Sequence, residues 1–256
     1  MKLELTLSLR CDIGCVRKTN EDMVLVSGET YRDGHDDFST VVQDGGRFVA
    51  AVADGMGGHN AGEVASEKAL KIFDNFIVAL PPHLSDNDFR REIDDEIKRI
   101  HDHLKTHGDI HPECKGMGTT IVAWLTYEER IYIINVGDSR VYRLRNGILC
   151  QLTEDHSMQN RFQDFSIPSN IIYNCLGGGG CRVFCDIMEI TSKVYEGVVF
   201  LLCSDGLYDM LEEEEIEMEL RNNCNANFLV DAARARGGND NVSVIVLTTK
   251  IINNNG

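Results

Sequence analysis

The chain has 256 residues, 43% of them hydrophobic, and its 41 Asp and Glu against 25 Lys and Arg leave a formal net charge of −16. Such acidity argues against a nucleic-acid binder, which needs a basic surface to release counterions from phosphates. No run of roughly 20 apolar residues crosses a bilayer, and no basic, apolar leader opens the sequence, so membrane insertion and secretion are not expected and a cytoplasmic location is.

KLELTLSLR (2–10) alternates apolar and polar residues, as a half-buried strand does. RFVAAVA (47–53) is apolar enough for a buried strand, and it stops at an aspartate and a glycine-rich loop, DGMGGHNAGEVAS (54–66). Ala65, Ala69, Ile72, Phe73, Phe76 and Leu80 then fall at helical spacing until Pro81 and Pro82 end the helix. Ser85 is placed to cap a second helix, whose Phe89, Ile93, Ile97, Ile100 and Leu104 share one face up to Gly108.

The middle is strand-rich: 118–127, 130–138, 139–145 and 148–153, the last two joined by Asn146-Gly147, a strong two-residue hairpin signal. An irregular stretch ending in GGGG (177–180) leads to strands over 181–190 and 197–205. Helices over 212–223 and 225–236 and a final strand over 241–250 complete the order. Helices grouped rather than alternating with strands predict an α+β domain of antiparallel sheets covered by helices. No Pro/Gly/Ser-rich linker divides the chain, so one domain is expected over 1–250, with a disordered tail at 251–256.

Nine cysteines, an odd number without CxxC spacing, read as reduced and mostly buried thiols rather than a zinc site. LEEEEIEMEL (211–220) and REIDDEIKR (91–99) read as solvated helix faces. Other carboxylates stand alone at the ends of apolar runs: Asp54, Asp138, Asp205 and Asp240. Any one of them alone reads as a turn residue, for which Asp-Gly is an ordinary pair. Four together predict a cluster at one rim of the sheets, whose repulsion calls for hard cations such as Mg²⁺ or Mn²⁺. Upstream, Arg17 precedes Glu21 and Asp22, and a guanidinium near such a cluster suits a phosphoryl group.

Taken in order, RKTNED (17–22), DGMGGHNAGEVAS (54–66), GTT (118–120), NVGDSRVY (135–142), LTEDHS (152–157), CSDGLYD (203–209) and DNVSVIV (240–246) resemble the motif series of the PP2C-type (PPM) metal-dependent serine/threonine protein phosphatases, in their bacterial form. One motif is weak, but the ordered series is specific and spans nearly the whole chain. The resemblance implies a four-layer α-β-β-α sandwich, two antiparallel sheets flanked by pairs of helices. It implies that Asp54 bridges two Mn²⁺ or Mg²⁺ ions, that Gly55 offers its carbonyl to one, and that Asp205 and Asp240 complete the first ion's shell. Glu21 would reach the second ion through water, Asp22 would support the bridging water, and Arg17 would hold the substrate phosphate. Asp138, Asp205 and Asp209 resemble a third, weaker site.

The implied activity is hydrolysis of phosphoserine and phosphothreonine in proteins by a metal-activated water, opposing a cytosolic Ser/Thr kinase. The phosphoprotein, that kinase and the kinase's other targets are the expected partners of a monomer. Met56 stands where eukaryotic members carry a histidine proposed as general acid, and His59 takes that role only as a minor expectation. His156 is expected to be structural, and Thr119 and Thr120 to belong to a core strand. The flap of bacterial relatives corresponds to 157–176, which is short here and holds Arg161, Phe165 and Pro168. Two rivals stay open: a phosphatase of small phosphoesters, and an inactive binder of phosphoproteins, which would have lost its ligand residues.

Overall fold

The structure, a computed structural model, describes residues 2–57, 61–178 and 180–252. Strands β1 (Lys2–Asp12), β2 (Met23–Val26), β3 (Glu29–Tyr31), β4 (Gly34–Val42), β5 (Phe48–Ala53) and β6 (Gly55–Met56) precede helices α1 (Ala61–Ala79) and α2 (Asp86–Ile110). Then come β7 (Gly118–Thr119), β8 (Ile121–Tyr127), β9 (Arg130–Val136), β10 (Arg140–Arg145) and β11 (Ile148–Gln151), the short helix α3 (Met158–Phe162), β12 (Leu176–Gly177), β13 (Asp186–Glu189) and β14 (Val199–Cys203). Helices α4 (Asp205–Tyr208), α5 (Glu213–Asn222) and α6 (Ala226–Ala235) lead to β15 (Val242–Ile252).

Two six-stranded sheets run in the orders β11-β10-β14-β15-β1-β4 and β13-β9-β8-β5-β2-β3, and a small third sheet in the order β12-β7-β6. Alternation along single strands builds the layers. On β5, Phe48, Ala50 and Val52 face the other sheet, while Val49, Ala51 and Ala53 face α1 and α2. On β14, Phe200 and Leu202 point between the sheets, whereas Val199, Leu201 and Cys203 meet α5 and α6. Three buried clusters result, one between the sheets and one under each helix pair, which gives the four-layer α-β-β-α sandwich. Trp124 of one sheet lies 6.1 Å from Phe200 of the other and packs edge-on to Phe48 at 6.0 Å. Each such buried ring contributes about 1.5–3 kcal/mol relative to exposure.

Most elements lie where periodicity places them, and the departures have local causes. Ser85 caps α2, its hydroxyl accepting the Asp88 N–H at 3.1 Å. The helix does not stop at Gly108 but continues to Ile110, because Gly108 serves close packing: a Cβ there would lie 2.8 Å from the Cys114 carbonyl. The expected strand over 181–190 shrinks to β13, and the glycine run is not wholly irregular, since Gly177 pairs with Gly118 across β12 and β7. Asn146 and Gly147 take positive φ of 52° and 76° and turn β10 into β11. Ile251 and Ile252 extend β15 and pair with Leu3 and Lys2, so the expectation of disorder fails for these two residues. The remainder of that expected tail, 253–256, lies outside the described residues. Among the described residues no helix is long and apolar enough to cross a membrane.

Candidate active site

Asp54, Asp138, Asp205 and Asp240 come from four separate strand ends, and all four line one cavity of about 430 Å³. Arg17, Glu21, Gly55, Met56, Gly57, Thr120, Asn170, Ile172 and Asn241 complete its wall. Four carboxylates expected at one rim are therefore gathered there, joined by Glu21 and Arg17.

Two Asp-Gly pairs explain the gathering. Neither Gly55 nor Gly206 has positive φ, so neither is there to make a turn. A Cβ on Gly55 would fall 2.2 Å from the Gly62 carbonyl oxygen and 2.5 Å from that of Glu21. One on Gly206 would fall 1.9 Å from the Asn241 carbonyl oxygen. Missing side chains let the start of α1, the Glu21 loop and the end of β5 meet, and let α4 press against the start of β15. Asp54 and Asp205, each just before such a glycine, are thereby carried to the contacts.

The backbone of Asp54 is held from three directions. Its N–H donates to the Thr120 hydroxyl at 3.0 Å, and its carbonyl accepts from the Thr119 hydroxyl at 2.8 Å and the Thr120 N–H at 2.9 Å. The Thr120 hydroxyl also pairs with that of Ser139 at 2.7 Å. Thr119 belongs to β7 as expected, but Thr120 leaves the strand and reaches the cavity. Asp138 is fixed through its carbonyl, which accepts the Tyr208 hydroxyl at 3.1 Å. Tyr208 sits on α4, so one hydrogen bond joins the Asp138 turn to the helix that begins at Asp205.

Burial and mutual repulsion act together on these acids. Burial first, then Asp205, Asp22, Asp138 and Asp240, push Asp54 well above the usual carboxylate range. Burial and then Asp205 raise Asp138 to about 7. Burial and then Asp240 raise Asp205 to about 6, although a hydrogen bond from Asp54 opposes the rise. Glu21 is raised, chiefly by burial. A cluster whose acids resist ionisation is a cluster whose charge the protein alone does not neutralise.

The donors are all hard oxygens, the set that suits Mg²⁺ or Mn²⁺, and the Gly55 cradle admits close approach, so the residues present fit divalent cations. Among the described residues no group of three or more acidic, histidine or cysteine side chains already stands in an ion-holding arrangement. Arg17 instead donates from Nη2 to Asp240 at 2.5 Å, which strengthens its hold on its proton.

Two expected residues lie off the wall. Asp22 is 1% exposed and sits beneath the floor, accepting the Ser204 hydroxyl at 2.7 Å, and burial raises it to about 7. Asp209 follows one turn after Asp205, its N–H donating to the Asp205 carbonyl at 2.9 Å, but its side chain is exposed and does not line the cavity. His59 lies outside the described residues. His156 is structural: Nδ1 accepts from the Gly137 N–H at 3.0 Å, which leaves the proton on Nε2 facing Asp186 at 3.0 Å.

Asn241, Asn170 and Ile172 carry roles that sequence reasoning does not assign. Asn241 uses its whole amide: Nδ2 donates to the carbonyls of Ile13 and Thr19 at 3.0 and 3.1 Å, and Oδ1 accepts the Glu21 N–H at 2.9 Å. Its adjacency to Asp240 is the one signal the sequence offers. Asn170 and Ile172 offer none, because they reach the cavity through tertiary pairing of 157 with 172.

Residues 29–234 match the family model described as Protein phosphatase 2C. The serine/threonine phosphatase stp of Listeria welshimeri is 33% identical over 218 residues, which cover 80% of this chain and 85% of that protein. A solved S. agalactiae serine/threonine phosphatase is similar with a TM-score of 0.79 at 28% identity, covering 95% of this chain and 99% of that one. The catalytic domain of the serine/threonine protein phosphatase PstP, solved in complex with two manganese ions, is similar with a TM-score of 0.75 at 30% identity, over 97% of this chain and 100% of that chain.

Proposed function

The chain belongs to the protein phosphatase 2C family and is a serine/threonine protein phosphatase, and on that premise we propose that it removes phosphate from proteins phosphorylated by a Ser/Thr kinase of the same cell, using the acidic cavity with Mn²⁺ or Mg²⁺. The observation that carries this reading is the meeting of Asp54, Asp138, Asp205 and Asp240 in one cavity with Arg17 at its wall. The manganese-bound PstP catalytic domain supports the choice of cation.

Asp54 would be shared between two cations, with the Gly55 carbonyl, Asp205 and Asp240 holding one of them and Glu21 the other. Asp138, Asp205 and Asp209 would serve a third, weaker site. Cations bound there would supply Lewis acidity, neutralising phosphoryl charge and letting a water give up a proton to solvent near neutral pH and so become nucleophilic.

The protein's own part is positioning and exclusion. Arg17 offers a planar fork to two phosphoryl oxygens once it releases Asp240. Asp22, accepting the Ser204 hydroxyl under the floor, would support the water held between the cations. No described lining residue is a serine, cysteine, histidine or lysine, and the one hydroxyl, that of Thr120, is engaged by the Asp54 N–H and Ser139. With the lining carboxylates given to the cations, water is the nucleophile, and Met56 has no proton to give the leaving oxygen, which takes one from solvent.

Hydrolysis of a phosphothreonine peptide with Mn²⁺, with chelator, and by an Asp205→Asn variant tests the reading. Turnover that needs the cation and falls at least a hundredfold in the variant is expected. A folded wild type loaded with Mn²⁺ that hydrolyses no phosphopeptide would overturn it.

A further inference from the structure

Four of the chain's eight histidines, His101, His103, His107 and His111, fall close together at the end of α2. His101 is turned inward, 3% exposed, where its Nδ1 accepts the Gly177 N–H at 3.1 Å. The other three reach solvent and are spaced by four residues, the interval that makes helical side chains neighbours. His111 ends the helix, yet its N–H still donates to the His107 carbonyl at 2.9 Å, so the interval is kept. The His107 and His111 rings lie side by side, their centres 4.2 Å apart and their planes at 33°. Glu113 Oε1 stands 3.6 Å from His111 Nδ1.

None of these residues lines the catalytic cavity, and imidazole selects a different class of ion from the carboxylates there. We infer that His107 and His111 form a two-imidazole chelate for a borderline transition cation, Cu²⁺, Ni²⁺ or Zn²⁺, with Glu113 beside it and water in the remaining positions. A turn of each ring aims one nitrogen from each at a shared ion, and two protein ligands completed by water need no preformed group of three, of which the described residues hold none. The setting favours a cation. The C-terminal end of a helix carries partial negative charge, and so does the chain as a whole at −16. Burial, then Lys68 of α1, His111 and His103, hold His107 below the ordinary imidazole value, with Glu113 pulling the other way. At neutral pH the His107 ring is therefore uncharged and its lone pair is open to a metal.

Such an ion would brace the path from α2 to the cavity. The His111 carbonyl accepts the Cys114 N–H at 2.9 Å, and the Cys114 carbonyl accepts the Met117 N–H at 3.0 Å. Gly118 then opens β7, and Thr119 and Thr120 after it hold the Asp54 backbone.

The test adds substoichiometric Cu²⁺ to protein kept in excess Mg²⁺, which occupies the carboxylate cavity, and follows the histidine Hε1 signals by NMR, since the unpaired electron of bound Cu²⁺ broadens them. His107 and His111 are expected to broaden before every other histidine at neutral pH, and to stay sharp at pH 5, where protonated imidazole binds no metal. In a His111→Gln variant with an unchanged thermal midpoint, one imidazole replaces a chelating pair, and broadening His107 equally should take at least about ten times more Cu²⁺. Even broadening of all exposed histidines, or none at His107 and His111, overturns the inference. So does a His107 signal that broadens as readily in the variant as in the wild type.

Discussion

Asn241 accepts the backbone N–H of Glu21 at 2.9 Å across 220 residues of sequence. With its two donated bonds to Ile13 and Thr19, it fastens the loop that carries Arg17 and Glu21 to the turn that carries Asp240. An Asn241→Ala variant loses all three bonds and leaves carbonyls short of donors, at a cost of about 1–3 kcal/mol. A loop misplaced by an ångström costs about a hundredfold in rate. Phosphopeptide kinetics should show kcat/KM falling ten- to a hundredfold, and isothermal titration should show weaker Mn²⁺ binding. Unchanged titration and kinetics would remove Asn241 from any positioning role.

The acid cluster sets a pH dependence for the cation-free protein. Asp22, Asp138 and Asp205 rise from 3.8 to about 7, 7 and 6. A carboxyl whose value is raised in the fold keeps its proton there while the unfolded chain has lost its own. The folded state then binds more protons between these values, and stability falls as pH rises from near 4 through 7. The thermal midpoint of chelator-treated protein should therefore drop between pH 5 and pH 8. Mn²⁺, binding only the folded cluster, should raise it more at pH 8 than at pH 5. A midpoint at pH 8 that ignores Mn²⁺ would contradict the cluster as a cation site.

Gly206→Ala tests the close approach of α4 to β15. The added methyl would meet the Asn241 carbonyl oxygen at 1.9 Å, so backbone must move and about 1–3 kcal/mol of stability is lost. Gly34→Ala is the comparison, because a Cβ there meets nothing within 4 Å and φ is not positive. Urea midpoints should fall clearly for the first and stay within about 0.5 kcal/mol of the wild type for the second. Similar midpoints would mean that the contact yields easily.

With the lining carboxylates held by cations and no serine, cysteine, histidine or lysine among the described lining residues, one-step hydrolysis is expected. Acid quenching of turnover on a ³²P-labelled phosphopeptide should leave no label on the protein, and rapid mixing should show no burst of dephosphorylated peptide. Label trapped on the protein would demand a covalent intermediate, with one of the lining carboxylates as the first candidate to carry it.

Much of this was legible in the sequence because its signals are local. Alternation in 2–10 and the alanine-rich apolar run at 48–53 report which faces are buried, and aspartates at strand ends need only the strand to be placed. The gathering of those aspartates was also readable, since β5 and β9 in one sheet and β14 and β15 in the other are stacked with these ends at one rim. What escaped depends on distant partners. β4 alternates exposed with half-buried residues over a stretch rich in Asp, Ser and Thr, and it is a strand only because β1 pairs with it from Leu3 to Cys11. Asn170 and Ile172 reach the cavity through a bridge that no short window encodes. Glycines after Asp54 are expected to allow a close approach, but which backbone comes within 3 Å, the carbonyls of Glu21 and Gly62 at Gly55 and of Asn241 at Gly206, is not encoded in the Asp-Gly pairs themselves.

β15 lies in the middle of its sheet, between β14 and β1, and β1 pairs with it over its whole length from Lys2 to Asp12. On the ribosome β1 is made long before its partner, so it must wait with one edge bare while the rest of the chain emerges. Asp240 and Asn241 arrive just ahead of that partner, which means the cavity lacks an acid and its loop fastening until the sheet is ready to close. Nascent or truncated chains that stop short of β15 would thus hold no assembled site, and phosphatase activity would begin only as the molecule finishes folding.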